Sequence, residues 1–300
     1  MISFFKYWRV YFVISTLVIA SGLYSIFNWG FNISIDFTGG TVLSYGLNGD
    51  KQIRVDQVEL ILEEIGLIDA KVILDKNRIL TIKSSPVDDK KEGEIRRKIA
   101  EYATSAVDVL KYESVGPTIG AETVTKTIYA VLLAILGILI YVAYAFRNIN
   151  YAIAAVIALF HDVLVVAGVY SIISIFFHAE LDLLFVTAIL TTLAFSVHDT
   201  IVVFDQMREY RKNPKFSTDS VEEKADRAVT STIVRSLNNS LTIVFMLTAL
   251  VLLGGESIRY FALALLVGTI TGTYSSPFVS VPIAVFLEKR KLRLRHLTNK

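Results

Sequence analysis

Six stretches of this chain are long, apolar and almost free of charge, and a bilayer is the environment that accepts such stretches side by side. A helix rises about 1.5 Å per residue, so roughly 20 apolar residues cross a hydrocarbon layer about 30 Å thick. The first run, Val10 to Ile35, has no charged residue. The second lies between Lys126 and Arg147, and the third, Tyr151 to Phe177, is interrupted only by His161 and Asp162. The fourth, Leu183 to Phe204, is interrupted only by His198 and Asp199. The fifth lies between Arg235 and Glu256, and the sixth runs uncharged from Tyr260 to Leu287. With 53% hydrophobic and 19% charged residues, the whole chain departs from soluble averages in the same direction. Lys6 and Arg9 imitate the start of a signal peptide, but the run behind them is too long for a signal-peptide core and ends without a convincing small-x-small site. It is expected to stay as a span.

Short loops that keep Lys and Arg mark the cytoplasmic side. Lys6 and Arg9 precede span one, Arg147 separates spans two and three, and Arg208, Arg211, Lys212, Lys215, Lys224 and Arg227 lie between four and five. The tail adds Lys289, Arg290, Lys291, Arg293 and Arg295, whereas the turn at His178, Ala179 and Glu180 has no Lys or Arg. Both termini are therefore expected in the cytoplasm, with the segment between spans one and two outside.

That segment reads as a small α+β domain. Thr41 to Leu47 is a predicted strand, and Arg54 to Ile65 a helix with Val55, Val58, Ile61, Leu62 and Ile65 at helical spacing, stopped by Gly66. Ala70 to Leu74 and Arg78 to Ser84 form a predicted hairpin around Lys76 and Asn77. Asp89 to Val107 gives a second helix with Ile95, Ile99, Tyr102 and Ala106 inward, and Val109 to Val115 a fourth strand. The order βαββαβ suggests a ferredoxin-like split βαβ sandwich. The predicted organisation is residues 1–31 for the amino terminus and first span, 32–124 for the extracytoplasmic domain, and 125–288 for a five-helix bundle. An amphipathic cytoplasmic crossover at 207–235 interrupts the bundle, and 289–300 is a basic tail.

Other classes fall away. A net charge of +2 without a basic stripe gives no reason for a nucleic-acid partner, and zero cysteines exclude disulfides, thiolate zinc sites and cysteine nucleophiles. There is no nucleotide-binding loop, no nucleophile and base arrangement and no metal-ligand spacing, so no enzyme activity, cofactor or metal is expected.

What remains are costly residues. A charge at bilayer depth costs at least about 2.5 to 3.5 kcal/mol, which makes each one a functional candidate. Asp162 falls near the middle of span three beside His161, and Asp199 in the inner half of span four beside His198. Arg235 opens span five at the depth of Asp199, so the two are placed to pair. Burial and a neighbouring guanidinium act on a carboxyl in opposite senses and can poise Asp199 to exchange a proton; the alternative is a static ion pair that fixes helix register. His161 and Asp162 fit either a relay or an interhelical polar contact. Adjacent residues on a helix point about 100° apart, so His198 need not face the partner of Asp199. Ala264, Gly268 and Gly272 strip one face of span six of bulk for close helix packing, and Pro277 and Pro282 can kink that helix. Asp36, Phe37, Thr38, Gly39 and Gly40 read as a tight turn that needs glycine.

Four segments carry a resemblance: Asp36 to Gly40 (DFTGG), Leu159 to Val163 (LFHDV), Asp199 to Glu209 (DTIVVFDQMRE) and Phe261 to Ser276 (FALALLVGTITGTYSS). With Arg235 ahead of Ser240, Leu241 and Thr242, they occur in the order found in the SecF family of bacterial protein-export subunits, a branch of the resistance-nodulation-division superfamily, which this chain resembles. The resemblance implies a multi-pass subunit of the bacterial cytoplasmic membrane that pairs with SecD beside the SecYEG channel and draws translocating polypeptide outward at the expense of the proton-motive force. It implies that Asp199 and Arg235 occupy proton-pathway positions, with Asp162 a third. His198 departs from the family, which usually has Asn there. A rival within the superfamily is an exporter of a small molecule or lipid, although the outer segment is small for one.

Overall fold

The structure, a computed structural model, describes residues 4–48, 53–75 and 78–298, with only the backbone at 256–257 and 295–298. It begins with α1 (Trp8–Trp29), the two-residue strand β1 (Asn32–Ile33) and the single-turn helix α2 (Ile35–Thr38). Then come β2 (Gly40–Leu47), α3 (Val55–Glu64), β3 (Lys71–Leu74), β4 (Ile79–Ser84), α4 (Asp89–Ala103) and β5 (Val107–Val115). The remainder is helical: α5 (Pro117–Phe146), α6 (Ile149–Phe177), α7 (Leu183–Lys212), α8 (Val221–Leu253), α9 (Glu256–Ser275) and α10 (Val281–Thr298), with a two-residue strand β6 (Glu180–Leu181) between α6 and α7. Two compact units result, one of residues 33–128 and the other of 1–32 with 129–300.

In the first unit the sheet order is β3-β4-β2-β5, with β4 antiparallel to both β2 and β3, and β5 antiparallel to β2. The strands β2 and β3, joined through α3, thus flank β4, which is the split βαβ arrangement expected from the element order. Successive side chains in a strand alternate faces, and Leu43, Tyr45 and Leu47 with Leu80 and Ile82 present one face to Val58 and Leu62 of α3 and to Ile95 and Ile99 of α4. Tyr45 lies wholly within this core and donates its hydroxyl to Glu92 at 3.2 Å; burial, aided by that carboxylate, pushes the phenol upward so that it stays neutral. The predicted turn around Lys76 and Asn77 lies outside the described residues.

One boundary is corrected. The helix predicted to reach Val107 stops at Ala103, because Thr104 adopts left-handed backbone angles (φ 52°) and its N–H closes back on Ala100 and Glu101. Ala103 therefore takes the inward position assigned to Ala106, which is exposed, and Val107 opens β5. The glycines of the DFTGG segment behave as a tight turn requires. Gly39 and Gly40 have φ of 70° and 130°, and a Cβ on Gly39 would stand 2.7 Å from the Cα of Pro117.

The second unit holds the spanning helices. Among the described residues, six helical stretches are long and apolar enough to cross a bilayer: 5–29, 117–146, 149–177, 183–212, 221–253 and 258–294. The last is α9 and α10 joined through a π-helical turn at Ser276–Ser280, where Pro277 withholds a backbone donor, so the predicted irregularity near the prolines takes that form. The amphipathic segment expected before span five is not a separate helix. With neither Gly nor Pro from Val221 to Leu253, it continues into the span as α8, started by a capping box between Ser220 and Glu223. Likewise α7 carries its charged end, Arg208 to Lys212, as helix, leaving only 213–220 as the connection.

Burial divides the bundle into inner and outer helices. Over half of the apolar window of α6 is buried, half of that of α7 and 61% of that of the sixth span, against 17%, 6% and 11% for α1, α5 and α8. Small residues bring the inner helices together. A Cβ on Gly268 of α9 would lie 2.1 Å from Oγ1 of Thr192 on α7, and one on Gly272 would lie 3.0 Å from Cβ of Ser196. Gly22 of α1 and Gly168 of α6 meet in the same way, a Cβ on Gly22 falling 2.7 Å from the Gly168 Cα.

Two outcomes follow from this packing. Leu80→Ala, at a fully buried position, is expected to remove about 2 to 5 kcal/mol from the α+β domain. Faster amide exchange across β4 and β2 in the full-length chain would register it; unchanged exchange would refute the core assigned here. Gly268→Leu overpacks the α7–α9 contact at a cost of about 1 to 3 kcal/mol and is expected to lower the thermal midpoint of the detergent-solubilised chain. A midpoint equal to that of the parent would contradict the close approach.

Candidate functional site

The acids singled out in the sequence sit on the inner helices. Asp162 of α6 has no solvent exposure, and hydrogen bonds from two other helices reach one of its oxygens. Ser196 of α7 donates to Oδ2 at 2.5 Å and Ser275 of α9 donates to the same atom at 2.8 Å. Its other oxygen, Oδ1, lies 2.9 Å from Nδ1 of His161, whose ring is 7% exposed and whose Nε2 is buried without a partner. A buried carboxylate stripped of water is tolerated where such donors replace its hydration, and the cage of three polar side chains does so.

Asp199 of α7, 3% exposed, is held differently. Its main partner comes from the outer helix α8, where Ser236 donates its hydroxyl to Oδ2. His198 is 69% exposed and its Nδ1 stands 3.7 Å from Oδ1 of Asp199, beyond hydrogen-bond reach, in keeping with the divergence of adjacent helical positions. Arg235, one residue before Ser236, is exposed, and among the described ion pairs none joins it to Asp199. In this conformation Ser236 occupies the place that the sequence offered to the guanidinium, because the two positions differ by about 100° around α8 and the serine is on the inward side.

Hydroxyl groups extend the polar surface through the bundle. Ser240 donates to the carbonyl of Ser236 at 2.8 Å, and Thr273 of α9 donates to Ser240 at 2.6 Å. Thr200, next to Asp199, shares a hydrogen bond of 2.9 Å with Ser276, whose hydroxyl also reaches the Ser196 carbonyl at 3.3 Å. Both acids therefore open onto a seam of Ser and Thr between α7, α8 and α9. Sequence reasoning missed this seam because serine in a span is common and uncharged. The signal that points to it is the positions, since Ser196 lies three residues before Asp199, and Ser275 and Ser276 close the small-residue stripe of Gly268 and Gly272. Asp36 lies in the first turn of α2, within the α+β unit.

Removing both donors in Ser196→Ala with Ser275→Ala leaves the Asp162 carboxylate short of partners and is expected to cost about 1 to 3 kcal/mol, recorded as a lower unfolding temperature. Adding Asp162→Leu to that pair should restore much of the loss. No recovery in the triple variant would show that the cage is not what those serines stabilise.

The chain as a whole is similar to known proteins. Residues 95–290 match the family described as protein export membrane protein SecD/SecF, C-terminal. The protein translocase subunit SecF of Anaerolinea thermophila is 37% identical over 95% of this chain and 93% of its own length. That of Thermobaculum terrenum is 38% identical over 94% of this chain and 93% of its own. The crystal structure of SecDF from Thermus thermophilus superposes with a TM-score of 0.81 at 33% identity, covering 96% of this chain. The match spans 39% of that longer chain, so this chain corresponds to about two fifths of it. With likeness running nearly the length of the chain, this chain belongs to the SecD/SecF family of protein export membrane proteins.

Proposed function

We propose that the chain is an accessory subunit of the Sec translocase which, joined to SecD and working beside SecYEG, uses the proton-motive force to draw polypeptide across the bacterial cytoplasmic membrane. The translocase subunits of similar length and the SecDF protein in which the matching segment is one part of a longer chain support this reading. In it both termini and the basic ends of α7 and α10 lie in the cytoplasm, and the domain at 32–124 lies outside, where it meets the emerging polypeptide.

The observation that carries the mechanism is Asp199 itself: a carboxyl withdrawn from water on an inner helix, whose hydrogen bond comes from an outer one. As a carboxylate it accepts from Ser236. Protonated at Oδ2 it becomes a donor, the Ser236 hydroxyl then turns to accept, and the negative charge beside α8 is lost. A change in the α7–α8 contact follows. Moving one charge through 100 mV supplies about 2.3 kcal/mol, which biases a two-state element roughly fiftyfold. Asp162, held by two serines, serves as the second acid of the pathway, with His161 beside it as a modulator and His198 as another near Asp199.

Asp199→Asn keeps the size of the side chain and removes the exchangeable proton. It is expected to assemble with SecD normally and to abolish the stimulation of reporter export in vesicles energised by a proton gradient. Comparing proton with sodium gradients in the same vesicles identifies the coupling ion, and full stimulation by the Asn variant would overturn the mechanism.

A further inference from the structure

Where α5, α6, α7 and α10 meet at their charged ends, the bundle opens into a cavity of about 770 Å³ lined by Arg147, Arg208, Arg211, Lys212 and Lys291, with Glu288 the one acid among the described wall residues. Loop topology accounts for basic residues at this end of the bundle, but it does not require them to surround a hollow. Two of the cations are already engaged. Arg211 pairs with Glu288 at 2.6 Å, and Arg208 pairs with Asp205 at 2.8 Å and donates to the carbonyl of Ala145 at 3.0 Å. The other three, Arg147, Lys212 and Lys291, are exposed and belong to none of the described ion pairs.

A second observation points to an acceptor at the same place. The Nδ2 of Asn150, another wall residue, is buried without a hydrogen-bond partner. Asn150 stands in the first turn of α6, whose amino-terminal end adds a partial positive charge. The wall therefore offers three uncommitted cations and an unused amide donor, a set that suits an anion with several oxygens. The height of the cavity identifies the source of that anion. The apolar runs of α5 and α6 end on either side of Arg147, and the exposed Tyr144 sits beside it, as aromatic residues do at the level of lipid headgroups.

We propose that this cavity is a binding site for the phosphodiester headgroup of an anionic phospholipid, with Arg147, Lys212 and Lys291 on its oxygens, Asn150 as an added donor, and the acyl chains running down the outer face of α5. The inference is independent of ion coupling at Asp199.

The test uses the full-length chain in neutral detergent, titrated with phosphatidylglycerol and with phosphatidylcholine of the same acyl length, retained lipid being counted by native mass spectrometry. Phosphatidylglycerol is expected to bind in preference, and the triple variant Arg147→Gln, Lys212→Gln, Lys291→Gln to weaken it roughly a hundredfold, about fivefold for each charge removed. The charge-preserving variant Arg147→Lys, Lys212→Arg, Lys291→Arg is expected to retain binding, which separates loss of charge from loss of fold. Equal retention of phosphatidylcholine, or unchanged phosphatidylglycerol binding in the Gln variant, would overturn the site. Displacement of the lipid by inorganic phosphate alone would overturn the lipid assignment in favour of a free anion.

Discussion

A carboxylate sealed inside an apolar bundle has to be hydrogen-bonded, and at Asp162 that requirement shapes the inner helices around it. Ser196 reaches it from α7 and Ser275 from α9, so three helices must come together at one point. Such an approach needs the helices stripped of bulk between them. Gly268 and Gly272 provide that on α9, facing Thr192 and Ser196 of α7. The small-residue stripe and the buried acid, separate features in the sequence, are two sides of one packing arrangement. Substituting either disturbs the other.

The two acids differ in what surrounds them. Asp162 is fixed from two inner helices, which are themselves the best-buried elements of the bundle. Asp199 depends for its main hydrogen bond on α8, most of whose apolar window faces outward. Beside that bond lies an apolar hollow of about 330 Å³ bounded by Ser236, Ser240 and Thr273 among others. In the proposed coupling, Asp199 is the acid whose donor stands on an outer helix, and Asp162 the one caged by inner helices.

Periodicity and length read the spans and the domain well. Five of the apolar runs each lie in one spanning helix and the sixth in α9 and α10 joined by the π-helical turn, and the strand order follows from βαββαβ once the antiparallel pairing is known. What the sequence could not convey was where helices continue. Charge suggested a break between the amphipathic segment and span five, yet the backbone has no residue that opposes helix from Val221 to Leu253, and charged residues simply ride on the part beyond the apolar layer. In α4 the reverse holds: Ala106 has the right spacing, but Thr104 turns the chain before it. Spacing proposes a face, and local backbone preference decides how far it extends.

The same reasoning explains Arg235. From sequence, opposite charges at similar depth invite pairing, since Coulomb attraction in a low-dielectric interior is strong. Angular position about α8 is the missing variable. It turns Ser236 inward and leaves the guanidinium on the exposed side, so the neutral hydroxyl holds Asp199 while the cation stays a fraction of a turn away. With no ion pair to Arg235 among those described, the proposed protonation of Asp199 has no guanidinium to displace. A tight ion pair would have stabilised the carboxylate and opposed its protonation. The arrangement observed is a buried acid with one hydroxyl donor and no described ion pair to Arg235, and in the proposed mechanism a proton taken up there acts on the α7–α8 contact.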